Sequence, residues 1–250
     1  MIPKQKFYSF NGRSRKALVW PGGEVFADMF HESLCTDSLG KFSTFAYFRS
    51  LDPNVQTPFL YKESSLTAAN LNVDCLGMGV RTQRPYALFF THDDFGSFVF
   101  ENLRGINGRC IPARFNPALC VDVAKKAISL LARLHWSFPG FGILHGDAHL
   151  ANFVLPGVAS SPSEDFDLAV VDFDQSEKFS SSQRRFAPFE RDIKKLEEDC
   201  STNLSLTSIT IDEIVASAYL PHVPSNLRSE VDSTLRNALD ISRRTCTWGI

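Results

Sequence analysis

The stretch His145-Gly146-Asp147-Ala148-His149-Leu150-Ala151-Asn152, with Asp172-Phe173-Asp174 closing the apolar run Leu168 to Val171, decides how this chain is read. Upstream, Asn116-Pro117 supplies an N-cap and a first-turn proline. Apolar residues then recur at Val123, Ala124, Ala127, Ile128, Leu131 and Leu134, so a buried helix is expected to end near His135 or Trp136. Two short β-rich pieces, Ile143-Leu144 and Phe153 to Leu155, flank the polar stretch. A Ser/Pro/Gly loop from Pro156 to Ser163 leads to a buried strand over Leu168 to Phe173. An aspartate and an asparagine five residues apart across a tight loop can face one pocket. The carboxylate can then accept a hydroxyl proton, and the amide oxygen can bind a metal. Asp172, at a strand end, can bring a second hard oxygen to the same ion. Magnesium takes oxygen ligands and keeps waters and phosphate oxygens, so two protein ligands suit a nucleotide-bound ion.

Outward from this core the chain changes character. The first hundred residues mix strand-like runs, Lys16 to Trp20, Thr57 to Tyr61 and Tyr86 to Phe90, with helix-compatible segments over Glu24 to Leu34 and Lys41 to Leu51. After Asp174 the pattern is helical: Phe189 to Asp199, Ile211 to Tyr219 with a Thr210/Glu213 capping box, and Asn226 to Arg243 with Leu227, Val231, Leu235 and Leu239 on one face. The shift lies near Asn102 to Pro117, where Gly105, Gly108 and Pro112 read as a linker. The expected organisation is a single domain over 1–250, with a mixed β-rich lobe over 1–101, a hinge or linker over 102–115 and a helical lobe over 116–250.

Composition narrows the partners. The chain has 250 residues, 26 basic against 28 acidic side chains and 44% hydrophobic residues, an ordinary globular balance that points to neither nucleic acid nor an anionic membrane. The apolar runs are far shorter than the roughly 20 residues that span a bilayer. Met1 to Lys6 is not followed by a signal-like apolar region, so a cytoplasmic location is expected, with a nuclear one as the alternative. The six cysteines are scattered, with neither zinc spacing nor a disulfide framework, and read as reduced thiols.

The His145, Asp147, Asn152 and Asp172 pattern resembles the protein-kinase-like fold. The glycine in His-Gly-Asp makes it most similar to the aminoglycoside and choline phosphotransferase branch, whose loop reads H-G-D-x-x-x-x-N and whose metal motif begins D-F or D-W. The resemblance implies a two-lobed α+β fold that uses ATP and magnesium to phosphorylate a hydroxyl. It implies Asp147 as the catalytic aspartate, Asn152 and Asp172 as magnesium and nucleotide ligands, and His145 as a structural loop histidine. Asp192 would start a lower-lobe helix that braces the loop, and Phe90 to Gly96 would be the hinge that meets adenine. The first lobe departs from the family, because no G-x-G-x-x-G loop is present. Lys16 and Lys62 compete for the phosphate contact. Lys16 is preferred, since Glu24 and Glu32 follow it as acidic partners, whereas only the adjacent Glu63 lies between Lys62 and Phe90.

Blander and rival readings stand beside these. Asp174 and Asp167 read as solvated loop acids, with Asp174 as a further metal ligand the alternative, and Lys178, Arg184 and Arg185 as a solvated loop, with contact to an anionic substrate the alternative. His145 and His149 with Asp147, Asp172 and Asp174 could form a transition-metal phosphoesterase cluster. No A-P-E motif occurs and few residues separate Asp172 from the helix near Phe189, which favours a small-molecule acceptor over a protein. A protein kinase and a catalytically inactive kinase-like scaffold are the alternatives.

Overall fold

The computed structural model describes residues 1–10, 12–35, 59–157, 166–186 and 188–246, and the helix expected over Lys41 to Leu51 lies outside them. The chain divides into two compact units, one of Met1–Ile106, Val154–Ser161 and Ala169–Asp174, the other of Asn107–Phe153, Pro162–Leu168 and Gln175–Ile250.

The first unit is built on a five-stranded antiparallel sheet of order β1-β2-β4-β5-β3. Its strands are β1 Lys4–Phe10, β2 Arg13–Val19, β3 Phe59–Ser65, β4 Pro85–Phe90 and β5 Phe95–Glu101. Side chains alternate between its faces. Ala17, Val19, Phe59, Ala87, Phe89 and Val99 pack on one side with Ala27 and Phe30 of helix α1 (Glu24–Cys35). Leu60, Leu88, Phe98 and Phe100 pack on the other with Trp20 and with Ala69 of helix α2 (Leu66–Gly77). Ser65 ends β3 and caps α2, its hydroxyl accepting from the Ala68 amide at 3.1 Å.

Strand β1, not among the strands expected from the sequence, pairs along its length with β2. One expectation is corrected here. Phe90 to Gly96 is not a hinge: β4 and β5 form a hairpin through Thr91 to Asp94, closed by the Thr91 amide on the Phe95 carbonyl at 2.9 Å. Gly96 permits this hairpin, since a Cβ there would lie 2.0 Å from the Phe89 carbonyl oxygen.

The chain passes to the second unit through β6 (Ile106–Asn107). Gly105 and Gly108, read as linker punctuation, are instead close-packed. A Cβ on Gly105 would meet the Val154 side chain at 2.4 Å, and the Gly108 amide donates to the Leu150 and Phe153 carbonyls.

In the second unit a four-residue turn of helix, α3 (Ile111–Arg114), precedes the buried helix α4 (Cys120–Trp136). The Asn116 side chain does cap, but it caps a 3-10 turn over Pro117–Leu119 rather than α4 itself. Strands β7 (Phe141–Leu144) and β10 (Glu177–Ser180) pair antiparallel. Helices α5 (Phe189–Leu204), α6 (Ser208–Ile214) and α7 (Arg228–Cys246) follow, with Val231, Leu235 and Leu239 of α7 buried as its periodicity requires. The capping box at Thr210 is displaced: Thr207 is extended and accepts from the Thr210 amide, so the helix begins one residue after it.

Two further strands, β8 (Phe153–Leu155) and β9 (Ala169–Val170), bring Val154 and Ala169 together with Leu103 and Val171 in a small core of the first unit. The strand expected over Leu168 to Phe173 is thus confined to Ala169–Val170. The chain turns at Asp172, and Phe173–Gln175 forms a 3-10 turn. Among the described residues, no helix is long and apolar enough to cross a membrane.

Candidate active site

In the first unit the alternation of β3 places Leu60, Lys62 and Ser64 on one face. Lys62 is 8% exposed, and a buried ammonium needs opposite charge. Such charge is at hand: Nζ donates to Asp172 Oδ1 at 2.5 Å and to Asp174 Oδ2 at 2.7 Å, while the Ser64 hydroxyl donates to Asp174 Oδ1 at 2.6 Å. Asp174 is therefore not a free loop acid, which corrects its sequence reading. Asp172 has a φ of 67°, in the left-handed region, where Asp is among the few residues tolerated. The turn redirects the chain as β9 ends and places both carboxylates on one ammonium.

Lys16 takes a different position. It lies on β2, its Nζ 5.0 Å from the centre of the Phe90 ring, and it lines an open groove with Phe10, Arg13, Arg15 and His92. The lysine paired with Asp172 is Lys62.

In the second unit the polar stretch is a loop held from beneath by α5. Gly146 has a φ of +77°, and a Cβ there would lie 2.2 Å from the Gln175 carbonyl oxygen, so the second position of His-Gly-Asp must be glycine on both counts. The turn aims the amides of His145 and Gly146 at Asp192, whose oxygens accept at 2.7 and 2.9 Å. Asp192 is buried and also accepts from His135 Nε2 at 3.1 Å. The other nitrogen of that ring bonds the Tyr219 hydroxyl at 2.7 Å, and Trp136 Nε1 donates to the same oxygen at 2.9 Å. Burial pushes the Asp192 carboxyl up, but the His135 hydrogen bond and charge and the loop amide outweigh it, holding the group below the usual carboxylate range.

Two turns along the helix, Asp199 accepts from the Leu150 amide at 2.6 Å and from Arg109 Nε at 3.0 Å. The two aspartates of α5 thereby grip both ends of the loop. Between the grips, Asp147 is ion-paired with Lys195 of α5 through Oδ1 and lies 3.3 Å from His149 Nε2 through Oδ2. Burial pushes the Asp147 carboxyl up, and Lys195 with the two loop histidines pulls it below its ordinary value. The Asn152 amide nitrogen donates to the Asp147 carbonyl at 2.9 Å, which leaves its Oδ1 as the atom for a cation. His145 is fully buried, its ring stacked on Phe153 and its Nδ1 accepting from the Asp147 amide at 3.3 Å.

Asp147 and Asn152 thus come together in the second unit, and Asp172 is joined by Lys62 and Asp174 in the first. Ser64, Lys195, Asp199 and Arg109 had no assigned part in the sequence reading. Only the alternation of β3 offered a signal, since it places Lys62 and Ser64 on one face. Among the described residues no group of three or more His, Cys, Asp or Glu could hold a metal ion, which removes the ground for the transition-metal reading.

No model of a known protein family matches the chain, and no curated protein matches it. Among solved structures, WaaP in complex with acyl carrier protein aligns over 97% of this chain and 83% of its own, at 13% identity and a TM-score of 0.56. The fold is protein-kinase-like. This likeness is one of fold alone at such identity. The pseudokinase domain of BIR2, an immune regulator of the RLK/Pelle family, aligns at a TM-score of 0.34 and 12% identity over 74% of this chain and 66% of that one. A microcompartment-associated aminopropanol kinase aligns at 0.24 and 9% identity over 98% and 93%.

Proposed function

We propose that the chain is a phosphotransferase that moves the γ-phosphate of ATP, with magnesium, to a hydroxyl group, on a small molecule in preference to a protein. The observation that carries this reading is the buried Lys62 held on Asp172 and Asp174, beside a left-handed backbone turn at Asp172. A hydrophobic core has no need of a lysine there, whereas a phosphate does. We assign Lys62 to the phosphate contact in place of Lys16. Lys16 and Phe90 remain on the sheet as a cation and an aromatic ring that an anionic planar ligand could use.

Magnesium would suit these acids. The carboxylates of Asp172 and Asp174 are hard ligands that would leave room for phosphate oxygens and water, and the Asn152 amide oxygen is a further hard ligand we assign to the ion. Bound there, the ion would neutralise charge on the transferring phosphoryl group. Asp147, on its gripped loop, would orient the acceptor hydroxyl and take up its proton. The short segment between Asp172 and α5 offers little platform for a peptide, which supports the small acceptor.

A second reading, an inactive kinase-like binding module, is favoured by one feature: the turn between β1 and β2 carries a single glycine, Gly12, rather than a glycine-rich phosphate loop. One experiment separates the two. Magnesium with ATP at about a hundred times its dissociation constant should stabilise the protein by about 2.7 kcal/mol. Lys62→Met and Asp172→Asn should lose that gain and Lys16→Met should keep most of it. Asp147→Asn should keep the gain while ADP production falls about 10² to 10⁴-fold. No stabilisation of the wild type would overturn nucleotide binding. Stabilisation with equal ADP release in wild type and Asp147→Asn would overturn catalysis and leave the binding module.

A further inference from the structure

Resting on that reading, we infer that Lys195 is a further catalytic residue, its ammonium holding the Asp147 carboxylate through one N–H and donating another to a phosphate oxygen during transfer. Residues 192, 195, 196 and 199 fall on one stripe of α5, since positions three, four and seven apart share a helix face. Asp192 and Asp199 on that stripe are buried and bonded to loop amides, and Leu196 is fully buried. Lys195, alone among these four, keeps a side chain 44% exposed while its Nζ reaches Asp147 Oδ1.

A purely structural reading accounts poorly for this placement. An ion pair with one partner that open to water contributes little to stability, and the loop is already gripped at both ends by Asp192 and Asp199. Charge gives the placement a purpose. The segment His145 to Asn152 contains no lysine or arginine, so the reacting carboxylate has no cation of its own loop to offset a phosphate brought near it. The described groups around Asp147 are Lys195, His149, His145 and Asn152, and of these only Lys195 carries a permanent positive charge. An ammonium has three N–H groups on a flexible stem, so one can stay on the carboxylate while another turns to a phosphate oxygen. A donor aimed where charge develops, at a site that binds the ground state little, acts on turnover rather than on affinity.

The test measures ADP formation from ATP with magnesium, and ATP binding, for the wild type and for Lys195→Met, Lys195→Arg, Lys194→Met and Asp147→Asn. Lys195→Met should lower kcat about 10²-fold with the KM for ATP changed less than about threefold, and Lys195→Arg should restore most of the loss. Lys194→Met, one residue away and outside the stripe, should behave as wild type. Lys195→Met with wild-type kcat, while Asp147→Asn is impaired, would overturn the role of Lys195 and leave the phosphotransferase reading intact. Unaltered ADP formation in Asp147→Asn would overturn that reading instead, and Lys195 with it. Should Lys195→Met fail to fold, a kcat in Lys195→Arg as low as that of Lys195→Gln, with both folded, would overturn the proposal, because charge would then not matter.

Discussion

Asp192, itself buried, accepts from two consecutive loop amides that the turn at Gly146 points at it. Truncating it leaves both donors unsatisfied at about 1–3 kcal/mol each, so Asp192→Ala should cost about 3 kcal/mol or more in a denaturant titration. Its charge also writes a pH dependence. The folded carboxyl binds its proton more weakly than the unfolded one. Its stabilisation is therefore complete above the unfolded value near ~4 and is lost as pH falls through the lower folded value. Asp147 acts in the same sense. Glu197 acts in the opposite one, because burial raises it despite Arg243, so its contribution favours the fold at low pH and fades as pH rises. Asp192→Asn should be less stable at neutral pH and show a shallower decline between about pH 5 and 3. An unchanged acid slope in that variant would remove Asp192 from the account.

At the level of elements, α5 shows what a linear reading can and cannot deliver. Its existence was legible, because Phe189, Ile193, Leu196 and Cys200 repeat at helical spacing and bury one side. The resemblance to a known motif pointed to Asp192 as a brace, yet Asp199 and Lys195 on the same stripe passed as ordinary charged helix residues. Their partners lie 46 to 49 residues upstream in the loop, and no local pattern marks a charge whose counterpart is that distant. The misreading of Phe90 to Gly96 has a different cause. A polar turn after an apolar strand looks the same whether the chain leaves the sheet or folds back, and the deciding fact is the backbone contact of Gly96 with Phe89. Gly96→Ala tests that contact directly. Its Cβ would meet a carbonyl oxygen fixed in the β4–β5 ladder, so the variant should lose at least about 2 kcal/mol in urea titration. A loss under about 0.5 kcal/mol would show that the hairpin can yield there.

For the whole molecule, the division into units does not follow chain order. The first unit is assembled from three separate segments, and its charged cluster joins Lys62 to acids 110 and 112 residues further on. A protein made from its amino terminus therefore presents the sheet of β1 to β5 before Asp172 and Asp174 exist. Until Asp172 and Asp174 leave the ribosome, the nascent sheet lacks the two carboxylates that Lys62 bonds in the folded unit, so it should remain open to attack however well its strands pair. Nascent chains stalled with only Ile106 emerged should be cut rapidly by added protease, and chains stalled after Asp174 has emerged should resist. Replacing Lys62 by methionine should confer resistance on the shorter chains, since the order of synthesis then no longer withholds a partner the sheet requires. Equal sensitivity of the short wild-type and Lys62→Met chains would mean that the wait for the late carboxylates is of no consequence to how the protein is born.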